Sequence, residues 1–277
     1  MDPEGILARA ERYPAEVPDG VGVLVAAVDV PADRLECKVK GYGAEAESWL
    51  IALTQFHGDL ARNQMWFDID QFLRTEFAHA SGQKVRIECT AIGSGGHHTD
   101  EVYPFCHAHA SRRVFAVRRG DLSGKPLMDR PTTNNAYRTK LFTLCVDTGK
   151  ETVFARLRIG APGPSYMHVP EWIDAEYVAQ LTAENALRKY VRGRGSVRQW
   201  VKIRECNETL DLEVYRLAAL YVLGPQVIRA LPQRAATLAA RVESSGGSGV
   251  APTEGSHRPA ATPATSRGGW ARRWRGR

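Results

Sequence analysis

Apolar residues recur first at strand spacing and only later at helical spacing. Val21 to Val30 is a nearly continuous apolar run closing in Val28-Asp29-Val30, the pattern of a strand covered on both faces. Arg34 to Gly41 alternates apolar with polar residues, as a half-buried strand does, and Ser48 to Gln55 reads as a third strand. The turn-like segments Pro31-Ala32-Asp33 and Gly43-Ala44-Glu45 separate the three and suggest an antiparallel meander. Gln64 to His79 has helical spacing in Trp66, Ile69, Phe72, Leu73 and Phe77. Val85 to Ile92 is a fourth strand, His98 to Ala110 a helix with Val102, Phe105 and Cys106 inward, and Arg113 to Val117 a fifth strand. Residues 118–140, rich in Gly, Pro and Asn, read as a long loop. Asn207 to Leu223 is a helix with Leu210, Val214, Leu217, Ala218 and Tyr221 on one face. This order specifies an α/β fold, a mixed sheet flanked by helices. It is compatible with a ribonuclease H-like fold and leaves other α/β folds open.

Three segments follow. Residues 1–20, punctuated by Pro3, Pro14, Pro18 and Gly20, read as a linker remnant, residues 21–232 as the folded domain, and residues 244–277 as a disordered Arg/Trp-containing tail. The tail carries six arginines and one glutamate, hence +5 of the chain's net +6, and the rest is near neutral. Overall basicity therefore says little about nucleic acid. The local run Arg188, Lys189, Arg192, Arg194, Arg198, Lys202, Arg204 says more, because no acidic residue interrupts it. It could neutralise phosphates, or be a solvated face with no partner. Five cysteines without a CxxC pair point to reduced thiols rather than a disulfide framework. No run of about 18 apolar residues occurs, and the N-terminus lacks the basic and apolar regions of a signal peptide, so no membrane partner is expected.

Asp29 is a carboxylate inside an apolar strand. It either binds a cation or caps the Pro31 turn. Glu208 and Asp211 lie three apart on one helix face, where they repel unless a cation intervenes; the alternative is two ordinary surface acids. Together the three could supply the hard oxygen ligands of a metal centre for phosphodiester hydrolysis, in which two metals about 4 Å apart clamp the attacking and leaving oxygens. Gly93-Ser94-Gly95-Gly96 follows a strand and opens a helix, so its backbone could receive a phosphate, but it lacks the Lys-Ser/Thr ending of a P-loop. His97, His98, Cys106, His107 and His109 match no common zinc spacing.

Between Tyr13 and Leu223 many short segments occur in a distinctive order. They include Ala-Val-Asp-Val (27–30), Arg-Leu-Glu (34–36), Glu-Ser-Trp-Leu-Ile (47–51), Ser-Gly-Gly-His-His-Thr (94–99), Val-Asp-Thr-Gly-Lys (146–150), Pro-Gly-Pro-Ser-Tyr-Met-His-Val-Pro (162–170) and Asn-Glu-Thr-Leu-Asp (207–211). In this order the chain resembles the lambda-type family of phage terminase large subunits. The resemblance implies a ribonuclease H-like nuclease domain that cuts concatemeric double-stranded DNA in genome packaging with Mg²⁺ or Mn²⁺. It also implies the terminase small subunit and portal protein as partners, and the host bacterial cytoplasm as location. Asp29 would be the first-strand acid, with Glu208 and Asp211 the helical ligands.

Two departures modify that expectation. The family usually reads Ile-Asp-Ser-Gly-Gly where this chain has Ile92-Gly93-Ser94-Gly95-Gly96, so an acidic ligand is missing at Gly93. Glu88 is too far back on that strand and Asp100 lies beyond the turn. Cleavage is then expected to be impaired unless another carboxylate, such as Glu36, moves in. No P-loop occurs, so the expectation is a chain that begins in the linker after the family's ATPase domain, as a split subunit or a decayed prophage frame. The alternative function is a catalytically impaired remnant or DNA-binding module that still grips DNA through residues 188–204.

Overall fold

The computed structural model describes residues 3–120, 124–133, 135–191 and 195–240, and at residues 189, 191 and 195–198 the backbone alone. A short helix α1 (Pro3–Leu7) precedes β1 (Val23–Asp29), β2 (Arg34–Tyr42), β3 (Ser48–His57), α2 (Asn63–Leu73), β4 (Glu76–Ala78) and β5 (Lys84–Gly93). Then come α3 (Thr99–Ala108), β6 (Val114–Arg119), β7 (Leu141–Leu144), α4 (Val146–Leu157), β8 (Met167–His168) and α5 (Ala175–Leu181). The hairpin β9 (Glu184–Val191) and β10 (Gly195–Lys202) leads to α6 (Glu208–Val222), α7 (Pro225–Arg229) and α8 (Leu231–Ala239).

The main sheet runs β7-β6-β5-β1-β2-β3-β8, with β4 paired to β5. The expected meander is present: β1, β2 and β3 are antiparallel neighbours, while β5, β6 and β7 run parallel to β1. This is the mixed α/β sheet with flanking helices that the sequence implied. Side chains alternate across it. Leu24, Ala26 and Val28 of β1 join Leu35, Cys37, Val39 and Ile92 in a core with Ile69 and Leu73 of α2 and Val102, Phe105 and Cys106 of α3. Val23, Val25, Cys89 and Ala91 face the opposite core, built with Val153 of α4, Val178 of α5 and Leu210, Val214 and Leu217 of α6. Each fully buried aliphatic side chain of α6 stabilises the fold by about 1.5–3 kcal/mol.

Several expectations change. The helix expected to reach His79 ends at Leu73, and Phe77 enters the core from β4, pairing with Val85. Helical spacing persisted past the break because Phe77 serves the same core by a different route. β2 is not half-buried: its polar face, including Glu36, Lys38 and Lys40, is as covered as its apolar face, because α6 lies on it. The fifth strand extends to Arg119, and within the expected loop Met128 bridges to Leu144 and Thr132 to Leu141. Residues 1–20, read as a linker, carry α1 with Ile6 buried, and Val17 bridges to His79.

At the other end the body continues past 232, since Met1–Ala240 forms one compact unit. Glycine at 22 permits this: a Cβ there would lie 2.7 Å from the Leu231 carbonyl of α8. The tail 244–277 lies outside the described residues.

Candidate metal centre

The alternation that puts Val23 and Val25 of β1 toward α6 also puts Asp29 there. Asp29 is the last residue of β1, and its partner on β2 is Glu36. On the other side β5 runs parallel, with Val28 opposite Ile92, so Gly93 ends its strand beside Asp29. A Cβ at Gly93 would lie 3.2 Å from Asp29 Oδ1 and 2.8 Å from Tyr215 Cε2, so the missing side chain would stand against Asp29. The first turn of α6 supplies Glu208 and Asp211, where acids are favoured by the helix N-terminus.

Asp29 has Glu36 as its cross-strand partner and feels the charges of Asp211 and Glu208 from α6. Their electrostatics show the crowding. Burial, then Asp211 and Glu36, raise Asp29 to about 7. Burial raises Glu36, opposed by Arg34 and reinforced by Glu208. Burial raises Asp211, opposed by Lys150. Tyr215 is pushed well up by burial and by the charges of Asp29 and Asp211.

Three neighbours were not singled out from the sequence. Arg34 donates from Nε to Glu36 at 2.7 Å and from Nη2 to Glu208 at 3.5 Å, so an internal cation stands between two acids. Asn207 precedes α6, but its side chain makes no capping bond. Its Nδ2 instead donates to Glu184 at 2.8 Å and to Asp211 at 3.3 Å. Lys150 of α4 donates to both oxygens of Glu184 at 2.6 and 2.7 Å, completing a buried relay to Asp211. Its members sit in three separate segments, 146–150, 180–184 and 207–211, and no single spacing marks them as partners.

The donors suit a hard divalent cation, being carboxylate oxygens from a strand end and a helix start. Glu208 Oε2 is buried without a hydrogen-bond partner, an orphaned acceptor at the site. The set is not closed: among the described residues, no three carboxylate, imidazole or thiol side chains are drawn together as metal ligands. The glycine turn offers less than expected, since the Ser94 N–H bonds the Val117 carbonyl at 2.8 Å.

The basic run forms the hairpin β9–β10, which does not join the main sheet. Arg188 and Lys202 are exposed on it, together with Leu187, Tyr190 and Ile203. Arg188 pairs with Arg198 and Lys189 with Val197 along the backbone, whereas Arg192 and Arg194 lie outside the described residues. No helix among the described residues is long and apolar enough to cross a membrane.

A family model described as the terminase large subunit gpA, endonuclease domain, matches residues 1–231. The terminase large subunit of Escherichia phage lambda is 32% identical over 228 residues, covering 80% of this chain and 35% of that protein. The terminase large subunit of Enterobacteria phage P21 is 28% identical over 231 residues, covering 80% of this chain and 36% of that protein. The chain thus spans about a third of the length of these relatives. A mutant nuclease domain of the large terminase subunit gp2 of bacterial virus Sf6, solved with manganese and beta-thujaplicinol, is similar with a TM-score of 0.42 at 12% identity, covering 79% of this chain and 97% of that one.

Proposed function

Since this chain belongs to the family of the terminase large subunit gpA endonuclease domain, we propose that it is a Mg²⁺- or Mn²⁺-dependent endonuclease that cuts concatemeric double-stranded DNA during genome packaging. The observation that carries this reading is the meeting of Asp29, Glu36, Glu208 and Asp211 where β1 and β5 end against α6. Asp29, Glu208 and Asp211 would hold the cation, and Glu36 would supply the carboxylate that Gly93 does not. When bound, the cation polarises the phosphodiester and acidifies a water.

The chain's own groups do the rest. Asn207 orients Asp211 through its amide, with the Lys150–Glu184 pair behind it. Arg34 balances Glu36 and Glu208 while no cation is present. Arg188, Lys189, Arg192, Arg194, Arg198 and Lys202 meet backbone phosphates, and each phosphate neutralised adds salt-dependent affinity. The terminase small subunit and portal protein would be its partners in the host bacterial cytoplasm.

The test is plasmid cleavage by the purified chain with Mn²⁺ or Mg²⁺, beside Asp29→Ala. Cleavage lost in Asp29→Ala supports the reading. DNA binding without metal-dependent cleavage by the natural chain would overturn it and favour a DNA-binding module.

A further inference from the structure

Behind the carboxylates lie four charged side chains that the proposed reaction does not use. Lys38 and Lys40 of β2 and Glu213 and Arg216 of α6 are each at most 1% exposed. Lys38 Nζ donates to Glu213 at 3.1 Å and Lys40 Nζ to both Glu213 oxygens at 3.3 Å, while Arg216 also bonds Glu213. One carboxylate meets three basic side chains, and two of them rest on aromatic rings: Lys38 over Tyr177 at 4.9 Å and Arg216 over Tyr42 at 5.4 Å.

Buried ion clusters are weak evidence for stability, since well-fitted apolar residues often serve as well or better. Their attested use is to fix register, because a misplaced charge finds no partner. The arrangement here has that form. Arg34, Glu36, Lys38 and Lys40 form one row along β2 at two-residue spacing. Arg34 reaches Glu208, and Lys38 donates to the Thr209 carbonyl at 2.9 Å as well as to Glu213. The Thr209 carbonyl lies in the first turn of α6, between Glu208 and Asp211. Sliding α6 by one turn, about 5.4 Å, would strand these charges in the core.

We propose that this buried ladder is a register key, with Lys38 as the positioning residue that sets the height and rotation of α6 on β2 and so holds Glu208 and Asp211 opposite Asp29 and Glu36. The proposal rests on the reading of these carboxylates as the metal centre. Lys40 bonds Glu213 alone among the ladder's groups and does not touch the first turn. It is therefore the internal control: it has the same chemistry, volume and burial, and no grip on the ligands.

The experiment compares the full chain with Lys38→Met, Lys40→Met and a fourfold apolar variant, Lys38→Met/Lys40→Met/Glu213→Met/Arg216→Met. The readouts are Mn²⁺ affinity by calorimetry, urea midpoints and crystal structures. Lys38→Met is expected to bind Mn²⁺ about tenfold more weakly, the scale of losing a supporting group behind metal ligands, and Lys40→Met less than about twofold. The fourfold variant should keep its urea midpoint yet also bind about tenfold more weakly, which a merely structural role does not predict. Equal weakening in Lys38→Met and Lys40→Met, or a fourfold variant with natural affinity, would overturn the proposal. If the natural chain binds no Mn²⁺, the metal-centre reading fails by itself. The register key is then judged on the crystal structures alone: α6 displaced on β2 in Lys38→Met supports it, and α6 unmoved refutes it.

Discussion

The same strands give the central sheet two unlike faces. Toward α2 and α3 they offer Leu24, Ala26, Val28, Leu35, Cys37, Val39 and Ile92, an apolar layer without a charge. Toward α6 they offer Asp29, Arg34, Glu36, Lys38 and Lys40, and then a glycine at 93. The first face stabilises by area and shape, so its losses scale with the volume removed. The second holds charges away from water, and each group there depends on a named partner. Both faces bury apolar side chains, but only the α6 face also holds charges, crowded enough to raise Asp29, Glu36 and Asp211.

Substitutions can separate the two. The largest expected effect is on the charged face: Asp29→Ala should reduce Mn²⁺-dependent plasmid cleavage by about 10²–10³-fold, the scale of losing a group that stabilises developing charge. Ile69→Ala on the apolar face should lower unfolding free energy by about 3 kcal/mol in urea titration, with cleavage per folded molecule unchanged. If Ile69→Ala instead disabled cleavage in folded protein, the division between the faces would not hold.

Asp29→Asn sharpens the contrast through pH. Burial and neighbouring acids raise Asp29 to about 7 from its ordinary 3.8. The folded state therefore holds a proton that the unfolded chain has lost between those values, and the penalty of ionisation is complete above pH 7. Removing the charge should stabilise the chain by about 2 kcal/mol at pH 8, fading toward pH 4, as read from urea midpoints across pH. Added Mn²⁺ should raise the melting temperature of the natural chain and not of Asp29→Asn. Stability that is equal at pH 8 and pH 4 would mean that Asp29 is not crowded.

Gly93→Asp should cost about 1–2 kcal/mol and leave cleavage no faster than in the natural chain, because its Cβ meets the Tyr215 ring before its carboxylate can serve. A gain in plasmid cutting would show that the ring yields. The smallest effect belongs to the exposed hairpin. Arg188→Ala with Lys202→Ala should leave the melting temperature unchanged and lower the salt dependence of DNA binding by roughly two in log–log slope.

What could be read along the chain follows from these faces. Asp29 was conspicuous because it interrupted apolar residues, and Glu208 and Asp211 because three residues make one helical turn. Arg34, Lys38 and Lys40 were inconspicuous, since alternation looks the same whether water or a helix covers the polar side. Glu213 and Arg216 are charged residues inside an otherwise apolar helix, and both are fully buried. Phe77 was read into the helix and lies in a short paired strand, because apolar spacing alone does not tell a helical turn from such a strand.

By itself the sequence determined the sheet's first three strands, the late helix and the family to which they belong, all properties of local periodicity and short segments. Tertiary structure alone decided that Tyr215 occupies the space beside Gly93, and that Lys38, Lys40 and Arg216 converge on Glu213. Those facts depend on which helix lies over which face of the sheet, and contacts between residues some 170 positions apart leave no mark in the spacing of either segment.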